Sequence, residues 1–420
     1  MTGQLGGMQN REVFAKDPLA TTIPNLGVVK VTAPNTPEEW AVLRYELATF
    51  VCEGEYQRGL ERILDAYLSN LGQPAQPAVW VSGFFGSGKS HLVRVLEYLW
   101  RDTGLPDGAT ARGLVTLPSA IDAQLRELTA AGRREGGLWS AAGTLSASVG
   151  DSIGLALLAI VFRAARLPEA YPAARFVLWL RENGIEERVR AEVAGQGRSF
   201  AQELRNMYVS PFLAKGLLAA MPDFAADQRA ARDTLRAQYP DVKGISDDEM
   251  LATLDQVLRL QSSDGKRLPC TLIVLDELQQ FIGENADRSL RVQQMVEACS
   301  GRFGSRLLIV ATGQSAMQGT PMLARIAGRF TVQVALSDTD VTQVVRQVVL
   351  RKRPDREAAL TTMLSAVSGE IDRQLRGSKI EPTGADAPAL PADLCWPFTP
   401  SMGRSWHSGP LTARKPRRTE

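Results

Sequence analysis

Gly83-Phe84-Phe85-Gly86-Ser87-Gly88-Lys89-Ser90 is the stretch that decides the fold. The apolar run Ala78-Val79-Trp80-Val81 precedes it, and Leu92-Val93-Arg94-Val95-Leu96-Glu97-Tyr98-Leu99 follows with apolar residues at helical spacing. That is a short buried strand, a glycine-rich turn and a helix. Every fixed position of the phosphate-binding loop G-x-x-x-x-G-K-[ST] is filled. Glycines let successive backbone N–H groups turn inward around a phosphate, and the N-terminus of the next helix adds partial positive charge. The pattern predicts a bound nucleoside triphosphate. Lys89 would reach its β- and γ-phosphates, and the Ser90 hydroxyl would be a ligand to Mg²⁺.

A second motif lies far downstream. Thr271-Leu272-Ile273-Val274-Leu275 is a continuous β-rich apolar run, as a central parallel strand requires. It ends in Asp276-Glu277. An acidic residue at the tip of a buried strand beside a phosphate loop holds Mg²⁺, which assigns that role to Asp276. Glu277 is then expected to orient and deprotonate the attacking water. A further strand, Leu307-Leu308-Ile309-Val310-Ala311, ends in Thr312-Gly313-Gln314. Thr312 and Gln314 are expected to face the γ-phosphate from a strand between those of the two motifs, the alternative being an ordinary strand-end turn. Arg325 and Arg329 follow. Either could act as an arginine finger toward a neighbouring subunit, which makes a homo-oligomer the expected state, or both could be solvated surface arginines.

Composition narrows the class. The 420 residues are 44% hydrophobic and 22% charged, ordinary for a globular protein with two or three domains. A net charge of +2 gives no global field toward nucleic acid or membrane. Cys52, Cys270, Cys299 and Cys395 are far apart, and only His91 and His407 could join them, so zinc is not expected. Buried or idle thiols fit a reducing compartment. No apolar signal segment opens the chain, and the run Ile153 to Phe162 is too short to span a bilayer, so it reads as a buried helix. The expected location is cytoplasmic.

Residues 1–72 read as a wrap followed by helices. Met1 to Asn10 is loose, and Val28 to Val31 is a strand among prolines and glycines. Thr36-Pro37-Glu38-Glu39 starts a helix that buries Trp40, Leu43, Leu47 and Phe50. A second helix presents Leu60, Ile63, Leu64 and Leu68 and runs to Asn70. The core covers 73–336, with a strand near Trp139 to Leu145 and a largely helical insertion over about 150–261. Within that insertion Ser246-Asp247-Asp248-Glu249 is a capping box. The strand Phe330 to Leu336 closes the core. Residues 337–380 read as a small helical lid: one helix capped by Ser337 or Asp338, with Val341, Val344, Val345, Val348 and Val349 on its face, and another over Glu357 to Val367. The Pro-rich segment 381–420 lacks periodicity and is expected to be disordered. Its basic end is a solvated tail or a nucleic-acid contact.

Several of these strings together resemble a known family. Val79 to His91 is similar to the phosphate loop of the large ATPase of bacterial phage-defence BREX systems, the BrxC/PglY family. Asp276-Glu277-Leu278-Gln279-Gln280-Phe281-Ile282-Gly283, Ala311-Thr312-Gly313-Gln314 and Phe14-Ala15-Lys16-Asp17-Pro18 resemble it too. The match runs from about Arg11 to Ser378. It implies an AAA-like P-loop ATPase that works with a methyltransferase and an alkaline-phosphatase-like protein to mark host DNA and block phage, with DNA reached through the complex. It also implies that Gly83, Phe84, Phe85, Gly86, Ser87, Gly88, Lys89, Ser90 and His91 line the nucleotide. Members of that family are roughly three times this length, so the chain reads as an N-terminal ATPase portion, truncated or frameshifted.

The expected fold is thus α/β: a P-loop NTPase of AAA-like type, with a parallel sheet flanked by helices, a helical insertion and a small α lid. The expected activity is Mg²⁺-dependent ATP hydrolysis. Its rival is a regulatory switch that holds ATP with negligible turnover. A small-molecule kinase suits the Asp276-Glu277 pair less well, because Glu277 favours water activation over an acceptor pocket.

Overall fold

The computed structural model describes residues 10–17, 31–145, 152–314, 316, 319–337, 344, 347–348 and 350–377. Residues 28–30 of the expected N-terminal strand, most of the first lid helix, Cys395 and the segment 381–420 lie outside the described residues. Val31 is described, and it is buried outside any strand.

Five strands form one sheet: β1 (Val79–Ser82), β2 (Leu138–Thr144), β3 (Cys270–Asp276), β4 (Leu307–Gly313) and β5 (Val332–Ala335). Their order is β2-β3-β4-β1-β5, and every pairing is parallel. β4 therefore lies between β1 and β3, as the sequence predicted for the strand that carries Thr312. The register sets Val81 beside Thr312 and Ser82 beside Gly313. β5 is shorter at both ends than its apolar run suggested.

Alternation along the strands divides the core into two layers. Val79, Val81, Leu272, Val274, Leu308 and Val310 face one side, and Trp80, Ile273, Leu275, Ile309 and Ala311 face the other. Each fully buried side chain of this size contributes roughly 1.5–3 kcal/mol by leaving water. Both faces are covered, which is why these strands read as unbroken apolar runs. The first layer is completed by the helices Gly54–Ser69, Lys89–Arg101 and Ser119–Arg134. The second is completed by Ile153–Ala164, Asp247–Leu260 and Ala286–Phe303. The helical stretch between β2 and β3 thus shares a continuous core with the sheet.

Local signals explain the helix starts. Thr36 Oγ1 accepts from Glu39 N at 3.3 Å, and Glu39 Oε2 reaches back to accept from Asn35 N at 2.8 Å. Ser246 Oγ accepts from Glu249 N at 3.2 Å. The C-terminal helix spans Pro354–Gly377, longer than the expected Glu357 to Val367. Its start packs on the chain's beginning: Val13 and Phe14 form a small cluster with Leu350 and Leu360, and Ala15 N donates to Arg351 O at 2.7 Å. Cys52, Cys270 and Cys299 are buried and free. Among the described residues no helix is long and apolar enough to cross a membrane.

Candidate functional site

The carboxyl ends of β1, β3 and β4 bring the motif residues together. The loop after β1 turns through Gly86 (φ 88°) and Gly88 (φ 82°), backbone conformations that side chains with a Cβ rarely adopt. Gly88 caps the helix Lys89–Arg101, so the first N–H groups of a 13-residue helix point toward the loop. Phe84 and Phe85 project into solvent, 41% and 84% exposed. Lys89 folds back over the loop, its Nζ donating to Gly83 O at 2.8 Å and Phe84 O at 2.9 Å. Burial lowers the Lys89 pKa, and the nearby charges of Asp276 and Glu277 oppose that shift.

Asp276 is the hub. It ends β3, 3% exposed, and its Oδ1 accepts from Ser90 Oγ at 3.2 Å and from Thr312 Oγ1 at 2.6 Å. Thr312 also accepts from Glu277 N at 2.9 Å. Its buried hydroxyl therefore ties β4 to both acidic residues. Gln314 N donates to Gln279 Oε1 at 2.6 Å, and the Gln314 side chain is exposed. Beside this contact β4 has no room for a larger residue: a Cβ on Gly313 would lie 2.1 Å from the Trp80 ring.

Glu277 holds a left-handed backbone, φ 59° and ψ 29°, at the start of the helix Leu278–Ile282. A non-glycine residue there costs on the order of 1–3 kcal/mol, and such strain gathers at functional sites. Its pKa is raised, first by burial and then by the Asp276 charge, while a hydrogen bond with Gln280 and the Lys89 charge pull it down. A carboxylate raised in this way is a better base.

Ser90 Oγ and the Asp276 carboxylate are two hard oxygen donors within hydrogen-bond reach, a fit for Mg²⁺. Among the described residues no group of three or more His, Cys, Asp or Glu could hold a metal by itself. Mg²⁺ typically takes one or two carboxylates plus substrate phosphates, so the sparse donor set suits it.

His91 turns away from the loop. Its ring meets Phe50 edge-on at 5.4 Å, and burial lowers its pKa to about 4. It lines a cavity of about 190 Å³ with Tyr45, Phe50, Tyr56, Val344 and Val348. Arg329 stands at the opposite edge of the sheet, where its carbonyl accepts from Ala78 N just ahead of β1 and its side chain pairs with Glu297 at 2.5 Å. Arg325 is exposed on the helix Pro321–Ile326. Neither arginine joins the Asp276 network.

Sequence reasoning missed two participants. Gln279 carries no signal beyond its place two residues after Glu277. Tyr56, on the helix Gly54–Ser69, donates from Oη to Ser87 O at 2.7 Å across 31 residues, a contact that no local pattern announces. No family model and no solved structure matches the chain.

Proposed function

We propose that the chain is an AAA-like P-loop ATPase that binds Mg²⁺-ATP at the carboxyl edge of the sheet and hydrolyses it. The observation that carries this reading is the convergence of Lys89, Ser90, Asp276, Glu277 and Thr312 from two strand ends and one helix N-terminus. Open α/β sheets bind ligands outside the carboxyl ends of their strands, which favours this edge. In this reading the loop amides and Lys89 take the phosphates, and the cavity beside His91 takes the base. Ser90 and Asp276 hold Mg²⁺, which when bound neutralises phosphate charge. Thr312 keeps Asp276 and Glu277 in register. Glu277 accepts the proton of the water that attacks the terminal phosphorus, and the β–γ bridging oxygen leaves with ADP. The resemblance to the BREX ATPases extends the reading to a phage-defence complex with methyltransferase and alkaline-phosphatase-like partners.

One observation favours the switch reading for the isolated chain. Arg329 is ion-paired at the far edge and Arg325 is exposed, so neither supplies a second cation to its own site. Turnover would then await a neighbour's arginine, and ATP would be held with little hydrolysis. Two measurements test both readings: ATP titration with and without Mg²⁺, and steady-state hydrolysis against protein concentration. No ATP binding ends both. Hydrolysis that rises faster than linearly with concentration supports activation in trans, and binding with flat, negligible turnover supports the switch.

A further inference from the structure

We propose that the Tyr56 hydroxyl is a positioning group that holds the glycine loop in its phosphate-cradling shape, making the N-terminal helix Gly54–Ser69 part of the binding site. The consequence for affinity rests on the nucleotide reading above. The positioning itself rests on geometry alone. Tyr56 is 5% exposed, and its Oη donates to Ser87 O at 2.7 Å. Ser87 precedes Gly88, the left-handed residue that starts the loop helix. The same hydroxyl closes the space over Gly88, where a Cβ would lie 2.1 Å from it. One atom thus satisfies a loop carbonyl and fills the gap that the glycine leaves.

The tyrosine is itself locked. Its ring packs edge-on against Phe50 at 5.8 Å, and Phe50 packs edge-on against His91, the residue after Ser90, at 5.4 Å. Loop and N-terminal segment are therefore joined at Ser87 and again at His91. Ser87 O lies in a buried contact, so loss of its donor leaves a carbonyl to find another partner by moving. A loop that spends part of its time in other shapes binds more weakly by the fraction of time lost.

The test uses the full chain and Tyr56→Phe, which keeps the ring and removes only the donor. Tyr67→Phe is the control, because Tyr67 lies on the same helix and its hydroxyl donates to Arg306 O, at 3.3 Å, far from the loop. Amide hydrogen exchange of the segment 83–90 is measured without nucleotide, and ATP affinity is measured by titration. Tyr56→Phe should speed exchange of loop amides about 5- to 20-fold and weaken ATP by a similar factor, the worth of one buried hydrogen bond. Tyr67→Phe should change neither. Unchanged exchange in Tyr56→Phe overturns the proposal, whatever happens to affinity. Faster exchange in a protein whose wild type binds no ATP leaves the positioning standing and removes the nucleotide reading.

Discussion

At the carboxyl edge of the sheet, two hydroxyls and a backbone amide are spent on holding an acidic pair in place. Ser90 and Thr312 both donate to Asp276 Oδ1, and Thr312 takes the amide of Glu277. At the amino edge three arginines each pair with a single carboxylate. Arg267 pairs with Asp264 at 3.2 Å, Arg306 with Glu135 at 2.9 Å and Arg329 with Glu297 at 2.5 Å. Those arginines stand just ahead of β3, β4 and β5, where the helices antiparallel to the strands end with Arg101, Arg134 and Arg302 in their last turns. Cations there offset the negative ends of helix dipoles. The amino edge also has the larger cavity, about 470 Å³, lined by Leu71, Gly72, Arg134, Glu135 and Arg306 among others. Volume and charge alone would therefore point to the amino edge. Groups converging on the buried Asp276 carboxylate distinguish the carboxyl edge, because left-handed glycines (Gly72, Gly304) and a left-handed non-glycine residue (Asp102) occur at the amino edge as well.

Removing the base is expected to have the largest effect. Glu277→Gln keeps size and hydrogen-bonding reach, so ATP binding should survive while turnover falls roughly 10²–10⁴-fold. The pH profile gives a second readout. Burial and the Asp276 charge raise the Glu277 pKa, and a base works only when deprotonated. The acid limb of wild-type turnover should therefore lie above the ordinary glutamate range, near 4.3, with activity lost as pH falls through the raised pKa. That limb should disappear in Glu277→Gln. Brisk turnover by the variant at the wild-type rate would remove the catalytic assignment.

Lys89→Ala should weaken ATP by about 100-fold or more, because it removes the cation proposed to reach the phosphates. Melting temperature should hold or rise slightly, since burial already disfavours this lysine's charge. Unchanged affinity in a titration would dissolve the contrast between the two edges, leaving the glycine loop an ordinary turn.

Gly88→Ala is expected to be milder. It places a Cβ at φ 82° and against Tyr56 Oη, for a cost on the order of 1–3 kcal/mol in stability and a weaker hold on phosphate. A calorimetric melt and an ATP titration check the two effects. Full retention of both would show that the loop adapts and that its shape is not held from the N-terminal helix.

Sequence made some of this legible because the relevant spacing is local. Gly83 to Ser90 fixes loop and helix in one run, and β3 and β4 read as strands because burial on both faces leaves Leu272 to Leu275 and Leu307 to Ala311 without polar positions. The helix Ser119–Arg134 was not legible. Pro118 occupies its cap position with no side-chain hydrogen bond, so the usual start signal is missing. Tyr56 escaped for a different reason, since its partner lies 31 residues away and only the fold joins them. Arg325 and Arg329 were visible as arginines, but which edge they serve depends on β5 pairing with β1 beyond β4, and single residues do not encode that.

Arg329 supplies the smallest expected effect and the sharpest test of the contrast. Its pair with Glu297 leaves the two side chains 43% and 52% exposed, and such surface pairs are worth about 0–1 kcal/mol. If the amino edge only balances charge, Arg329→Gln should shift stability by less than about 1 kcal/mol and leave turnover within about twofold at every protein concentration. A finger acting from a neighbouring subunit predicts another pattern. ATP affinity would stay the same, while the faster-than-linear rise of hydrolysis with concentration would flatten, for a loss of roughly 10³-fold or more in the assembled state. Mixing Arg329→Gln with Glu277→Gln would then restore part of the activity, because each chain supplies what the other lacks. Recovery in the mixture would show that the amino edge of one copy completes the carboxyl edge of the next, and the two edges would have to be read as halves of one site.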